Sequence, residues 1–227
     1  MIAAIVPAHN EEALLGDCLA ALRVAAASAR LKGEPVMLIV VADDCSDRTP
    51  DIARAQADAV LRVAYRNVGA ARAAGARIAI AAGARWLSFT DADSRVAPDW
   101  FWHQLSLGAD AVCGTVQVVD WESHPPQVAA QFAATYVDRD GHRHIHGANL
   151  GVSTAAYRRA RGFDALSSSE DVALVRALEH SRARIAWSAL PRVVTSSRRD
   201  YRAPAGFGAT LQRCGLQYLR RAGGESR

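Results

Sequence analysis

Apolar residues along the first ninety positions come in unbroken blocks separated by helical spacing. Residues 2–6 and 36–41 are continuous apolar runs, residues 59–64 form a third stretch, and residues 86–89, Trp86-Leu87-Ser88-Phe89, a fourth. Short runs without polar alternation predict strands covered on both faces. After the first run, Pro7 is expected to end the strand. Asn10 is expected to cap a helix whose first turn carries Glu11 and Glu12, with Leu14, Leu15, Cys18, Leu19 and Leu22 returning on one face. Thr49 and Pro50 predict a second helix start, and residues 68–82 an alanine-rich third helix. Strands alternating with helices predict an α/β fold with a mostly parallel, Rossmann-like central sheet and right-handed crossovers. Ligands of such sheets bind at the carboxyl ends of the strands.

Beyond residue 95 the alternation is less regular. The pattern predicts a helix opened by Pro98-Asp99, a strand over 111–119 and a helix over 126–137. An extended segment over 144–152 is broken by Gly147. Ser168 or Ser169 is placed to cap a helix beginning Glu170-Asp171-Val172-Ala173-Leu174. A late strand covers 184–187, and residues 207–221 read as a basic amphipathic helix. No linker, internal repeat or low-complexity segment divides the chain, so one domain is expected.

The polar clusters draw meaning from this frame. Pro7-Ala8-His9-Asn10-Glu11, Asp43-Asp44 and Asp91-Ala92-Asp93 each follow a predicted strand, and so converge on one edge. Capping explains each cluster singly but not the doubling of aspartates in two of them. Carboxylates gathered at a buried edge repel one another unless a cation meets them. A divalent ion on a diphosphate is the expected partner.

The chain has 227 residues, 50% hydrophobic and 22% charged, with a formal charge of +4 and a pI of about 9.1. Lys32 is the only lysine, and the arginines are scattered among alanines rather than gathered in a stripe. That distribution argues against nucleic acid and for a polyanionic small molecule. Cys18, Cys45, Cys113 and Cys214 are far apart and contain no Cys-x-x-Cys pair, which argues against a zinc knuckle and a disulfide framework and predicts reduced thiols. No apolar run approaches a membrane span, and the apolar start is too short and lacks the basic residues of a signal peptide. The expectation is a cytoplasmic protein, with room for peripheral membrane contact.

Taken together the motifs resemble the family 2 glycosyltransferases, inverting enzymes of the GT-A fold. Ile5-Val6-Pro7-Ala8-His9-Asn10-Glu11-Glu12 is similar to their opening strand and loop, and Val41-Ala42-Asp43-Asp44-Cys45-Ser46-Asp47-Arg48-Thr49 to their Asp-Asp-x-Ser-x-Asp-x-Thr loop. Asn67-Val68-Gly69-Ala70-Ala71-Arg72 resembles the phosphate-side helix, and Phe89-Thr90-Asp91-Ala92-Asp93 the metal motif. His146-Gly147-Ala148-Asn149, Arg161-Gly162-Phe163-Asp164 and Glu170-Asp171 resemble the acceptor side. His9 replaces a frequent aromatic, one glycine rather than two precedes Phe163, and no extended acceptor domain follows.

The resemblance implies a nucleotide-binding half over about 1–95, an acceptor-side half over about 96–205 and a C-terminal helix over about 206–222. The donor would be a nucleotide-diphospho-sugar, most often uridine-linked. Asp44, with Pro7, Ala8, Glu11 and neighbouring Asp43, would hold the nucleoside. A carboxylate there accepts from the uracil imide N–H and rejects cytosine, which presents no donor at that place. Asn67, Gly69, Asp91 and Ala92 complete the donor site, with Asp91 near the ribose and also beside the metal. Asp93 would bind Mg²⁺ or Mn²⁺. Arg72 is placed as a cation near the diphosphate, because its helix points its amino end at the ligand edge. Of Glu170 and Asp171, the family pattern makes Asp171 the base that deprotonates the acceptor; the alternative is a pair of carboxylates favoured by the helix dipole alone. His146, Gly147, Asn149 and Arg198 are acceptor-side candidates, and Ser196-Ser197-Arg198-Arg199 either closes over the nucleotide or is a solvated turn. His142, His144 and His146 share a face if extended, as a metal site or as polar residues near the acceptor cleft. The acceptor has no readable code. Two other functions remain: a nucleotide-sugar-binding protein without turnover or a subunit of a larger complex, and a nucleotidyltransferase. The latter needs a glycine- and lysine-rich loop after the first strand, which is absent.

Overall fold

The structure, a computed structural model of the chain, describes residues 1–121 and 124–198. The four apolar blocks form strands β1 (Ile2–Ala8), β2 (Val36–Asp43), β3 (Ala59–Val63) and β4 (Trp86–Phe89), with helices α1 (Leu15–Ala26), α2 (Thr49–Gln56) and α3 (Val68–Ala81) between them. Every residue of β1 and β4 is buried, as an apolar run covered by helices on both faces requires. One face packs Ile2, Ala4, Val6, Leu38 and Val40 against α1, and the other packs Ala3, Ile5, Ile39, Val41 and Phe89 against α3.

The second half supplies β5 (Ser94–Val96), α4 (Trp100–Ser106), β6 (Ala111–Gln117), α5 (Pro126–Thr135), β7 (Leu150–Ser153), α6 (Thr154–Arg159), α7 (Glu170–His180) and β8 (Ile185–Thr195). The described strands form one eight-stranded sheet in the order β3-β2-β1-β4-β7-β6-β8-β5. The pairings β2–β3, β1–β2, β1–β4 and β6–β8 are parallel, whereas β7 and β5 pair antiparallel with their neighbours. From β1 the chain first winds outward through β2 and β3, then returns to place β4 on the other side of β1. Strand order therefore reverses between β1 and β4, where such sheets form a ligand crevice beyond their carboxyl ends. Glu11 follows β1 and Asp91-Ala92-Asp93 follows β4.

Several local expectations give way. Pro7 does not end β1: it pairs in register with Val41, and Ala8 with Ala42. Asn10 does not cap α1. It takes a left-handed conformation (φ 53°), and its side chain accepts from Ser46 N (2.8 Å), so the loop is drawn to the one after β2 and the helix starts only at Leu15. Thr49 is the first residue of α2 rather than its cap, since the Asp47 carboxylate accepts from Thr49 N at 2.9 Å. Ser169 occupies the cap position of α7 at φ 61° without a side-chain bond. Residues 147–149 make a turn of 3-10 helix, leaving β7 as the short strand. The late strand extends to Thr195, with residues 189–191 bulging between the Gly114–Ser188 and Thr115–Arg192 pairs. Neither β5 nor α6 is foreseen by the pattern. Residues 206–222 and Cys214 lie outside the described residues, while Cys18, Cys45 and Cys113 are free thiols. No helix among the described residues is long and apolar enough to cross a membrane.

Candidate active site

Three loops are tied together before any ligand is considered. Glu11 N donates to Thr49 Oγ1 (2.7 Å), Glu12 N to Asp47 Oδ2 (3.1 Å) and Arg48 N to Glu12 Oε2 (3.0 Å), joining the loops after β1 and β2. Asp43, at the end of β2, accepts from the backbone N–H of Tyr65 (2.6 Å), Arg66 (2.9 Å) and Asn67 (2.9 Å). It is 5% exposed, and its carboxylate is spent on fixing the turn into α3. Asp44, with a left-handed backbone (φ 51°) and a side chain 32% exposed, pairs with Arg66, so the doubled aspartates divide into a buried structural residue and a more accessible one. Arg66, the partner of this candidate residue, was not singled out by the sequence because arginines are common along the chain.

The other donor-side candidates also separate. Pro7 and Ala8 are buried β1 residues, and Ala92 is 3% exposed. Asn67 caps α3 by accepting from Ala70 N (2.8 Å) and donates to Leu166 O (2.8 Å). Gly69 has no room for a Cβ, which would overlap Asp164 O and meet the Glu170 side chain. Both residues serve the junction of α3 with α7.

Cations meet the carboxylates at the strand edge. The Arg198 guanidinium makes two bonds to the Glu11 carboxylate (2.8 and 2.6 Å) and lies 3.3 Å from Asp93. Burial, then neighbouring Asp91, pushes the Asp93 carboxyl up to about 6 against the pull of Arg198. Two carboxylates converging on one cation are the donor set a hard ion accepts, and an ion carried by a diphosphate needs only one or two. The residues therefore fit Mg²⁺ or Mn²⁺ with Arg198 as stand-in, although no group of three or more ligating side chains gathers among the described residues.

Arg72 is 3% exposed and joins Asp91 (Nη2 to Oδ1, 2.5 Å) to Glu170 on α7. Burial opposes its charge, but Asp91, Glu170 and Asp171 overcome that and hold it protonated. Burial raises the Glu170 carboxyl while Arg72 works against the rise. Neighbouring Asp171 accepts from Gly147 N (2.8 Å) and from Val172 N (2.8 Å), which orients its carboxylate. Asn149, expected on the acceptor side, is 1% exposed: it accepts from Trp100 Nε1 (2.8 Å) and donates to Thr115 O and Pro191 O (2.7 Å each). It pins β6, β8 and α4 together.

The three histidines do share a face. Their rings stack at 5.4 and 5.8 Å, Tyr136 lies parallel to His144 at 4.2 Å, and the Tyr136 hydroxyl bonds His146 Nε2 (2.9 Å). A face-to-face ladder does not converge on a point, so the metal reading of the trio falls away. Burial, then the other two imidazoles, lowers His146 to about 3. Because the unfolded chain takes that proton near 6.5, the folded state loses stability as pH falls below about 6.5, approaching ~1.4 kcal/mol per pH unit for one histidine. Thermal melts between pH 7.5 and 5 should show this fall, and His146→Phe should flatten it; an unchanged slope would deny the buried neutral imidazole.

A cavity of about 500 Å³ lies elsewhere, between the start of α4 and β8, lined by Asp99, His103, Asp140 and Arg192 among others. It contains none of the residues above. The candidate site lies instead at the carboxylate edge, where strand order reverses.

A sequence profile described as glycosyl transferase family 2 matches residues 3–161. No curated protein matched the chain. The fold is similar to that of S. aureus TarS 1-349 in complex with UDP-GlcNAc, at a TM-score of 0.69 and 15% identity, covering 91% of this chain and 61% of that one. It is also similar to the mannosyltransferase PcManGT from Pyrobaculum calidifontis in complex with GDP-Man and Mn²⁺, at a TM-score of 0.66 and 18% identity, covering 88% of this chain and 57% of that one. The chain thus spans about three fifths of the TarS fragment and rather less of PcManGT.

Proposed function

The chain belongs to glycosyl transferase family 2, and from that premise we propose that it moves a sugar, with inversion, from a uridine diphosphate sugar to an acceptor hydroxyl. The observation that carries the proposal is Asp171, a carboxylate oriented by Gly147 N at 2.8 Å and next in the chain to Glu170, which Arg72 bridges to Asp91. Inversion needs one base to take the acceptor's proton as its oxygen attacks the anomeric carbon opposite the nucleotide. Asp171 takes that role, with Glu170 behind it. Asp44 accepts from the base, Glu11 and Asp91 border the sugar-phosphate, and Arg198 covers the diphosphate. Mg²⁺ or Mn²⁺ held by Asp93, with Asp91 and Glu11 alongside, would supply positive charge where the departing diphosphate gathers negative charge.

Nucleotide titration tests the donor. In the presence of Mn²⁺, uridine diphosphate should bind more tightly than cytidine diphosphate, and Asp44→Ala should weaken it by roughly 1.5–3 kcal/mol, the worth of a hydrogen bond to a charged acceptor. The metal preference should not change, because Asp44 is remote from the phosphates. Guanosine diphosphate also presents donors to a carboxylate, and tighter binding of it would overturn the uridine assignment while keeping Asp44. Unchanged uridine diphosphate affinity in Asp44→Ala would remove Asp44 from the site.

A further inference from the structure

We propose that Arg72 is a positioning residue: it ties the donor-side carboxylate Asp91 to the segment that holds Asp171, and does not itself grip the diphosphate. This rests on Asp171 being the base. Three observations carry it. The guanidinium is 3% exposed, with Nη2 on Asp91 (2.5 Å) and Nη1 on Glu170, so both of its amino groups are already committed to carboxylates inside the protein. The remaining N–H groups are buried with the rest of the guanidinium, Nε without any hydrogen-bond partner, so a diphosphate has no open approach to them unless Asp91 or Glu170 is displaced. Second, Gly147 lies against the guanidinium so closely that a Cβ at 147 would overlap all three of its terminal atoms, Cζ, Nη1 and Nη2. Third, the N–H of that same Gly147 is what holds Asp171 Oδ2, at 2.8 Å.

Arg72 thus sets Asp171 by two routes. Along α7 it anchors Glu170, the residue immediately before the base; across the loop it is the floor on which Gly147 rests. The Phe163 ring, 5.8 Å from the guanidinium carbon, closes another side. A planar group at this place fixes the Gly147 peptide in a way that a flexible side chain would not.

The test separates positioning from donor binding. Arg72→Met/Glu170→Gln removes both charges together and so avoids stranding Glu170, and Arg72→Lys keeps the charge without the plane. Calorimetry with uridine diphosphate and Mn²⁺ should give dissociation constants within about threefold of the wild type, while kcat falls roughly 100-fold in the double variant, the effect of misplacing a catalytic group by about an ångström. Arg72→Lys should restore part of kcat with donor KM unchanged. Gly147→Ala should lower the melting temperature of the wild type and do so much less in an Arg72→Ala background, because the overlap is gone. Wild-type kcat in the double variant would overturn the role, as would additive melting shifts in the Gly147 cycle. Loss of nucleotide affinity by tenfold or more with kcat kept would make Arg72 a diphosphate ligand instead. Absence of transfer by the wild type would overturn Asp171 as base, and the role of Arg72 with it.

Discussion

Asp171→Asn is expected to lower transfer by roughly two to four orders of magnitude while donor and metal bind nearly as in the wild type. The carboxylate is held at both oxygens by backbone N–H groups of Gly147 and Val172, each at 2.8 Å. An amide of the same size keeps one acceptor and loses the other, a structural cost on the order of 1 kcal/mol. What it cannot do is receive the acceptor's proton. Product formation from a donor and acceptor found by screening measures the first effect, and calorimetry with the nucleotide measures the second. Near-native turnover would reduce Asp171 to a helix-start carboxylate favoured by the dipole. A wild type that binds donor yet transfers to no acceptor and to no water would favour a non-catalytic nucleotide-sugar-binding protein.

Asp93→Ala should raise the stability of the ligand-free protein and remove its response to ligand. In the ligand-free protein the Asp93 carboxyl is raised from its ordinary value to about 6, first by burial and then by Asp91. A raised carboxyl favours the folded state below about pH 4 and penalises it as pH rises through 6, so at pH 7.5 the buried charge costs on the order of 3 kcal/mol. Removing it should raise the ligand-free melting temperature. The response to ligand should vanish at the same time. For the wild type, uridine diphosphate with Mn²⁺ at a hundred times the dissociation constant stabilises by about 2.7 kcal/mol, and chelator should abolish this because diphosphate and carboxylates repel without the ion. A variant that binds nucleotide and metal as the wild type does would take Asp93 out of the metal site, and equal wild-type stabilisation in excess chelator would take the metal out of the mechanism. This opposition between stability and ligand binding is the usual cost of gathering like charges at a site.

Much of the fold was legible because it rests on local chemistry. The unbroken apolar runs at β1, β2 and β4 report burial on both faces directly, and Thr49-Pro50 reports a helix start. Aspartates at the ends of such strands point to the ligand edge once the sheet is known to be mostly parallel. Element ends were less legible, because they depend on what the loop is tied to. Asn10 has the chemistry of a cap, yet Ser46, 36 positions away, claims its side chain.

The sequence by itself determined the class of sheet, the edge that holds the candidate site and the carboxylates that stand there. Only the tertiary structure decided what each carboxylate does. Asp43 and Asp44 are adjacent and chemically identical, and nothing local says that the first is consumed by the turn at Tyr65, Arg66 and Asn67 while the second stays more accessible and pairs with Arg66. Arg72 finds Glu170 at a separation of 98 residues, and Arg198 finds Glu11 at 187. The physical reason is that apolar periodicity and helix-start chemistry leave a signature in adjacent residues, whereas charge pairing acts between neighbours in space and leaves none. In a chain with so many arginines, residue type alone cannot say which of them meets which carboxylate.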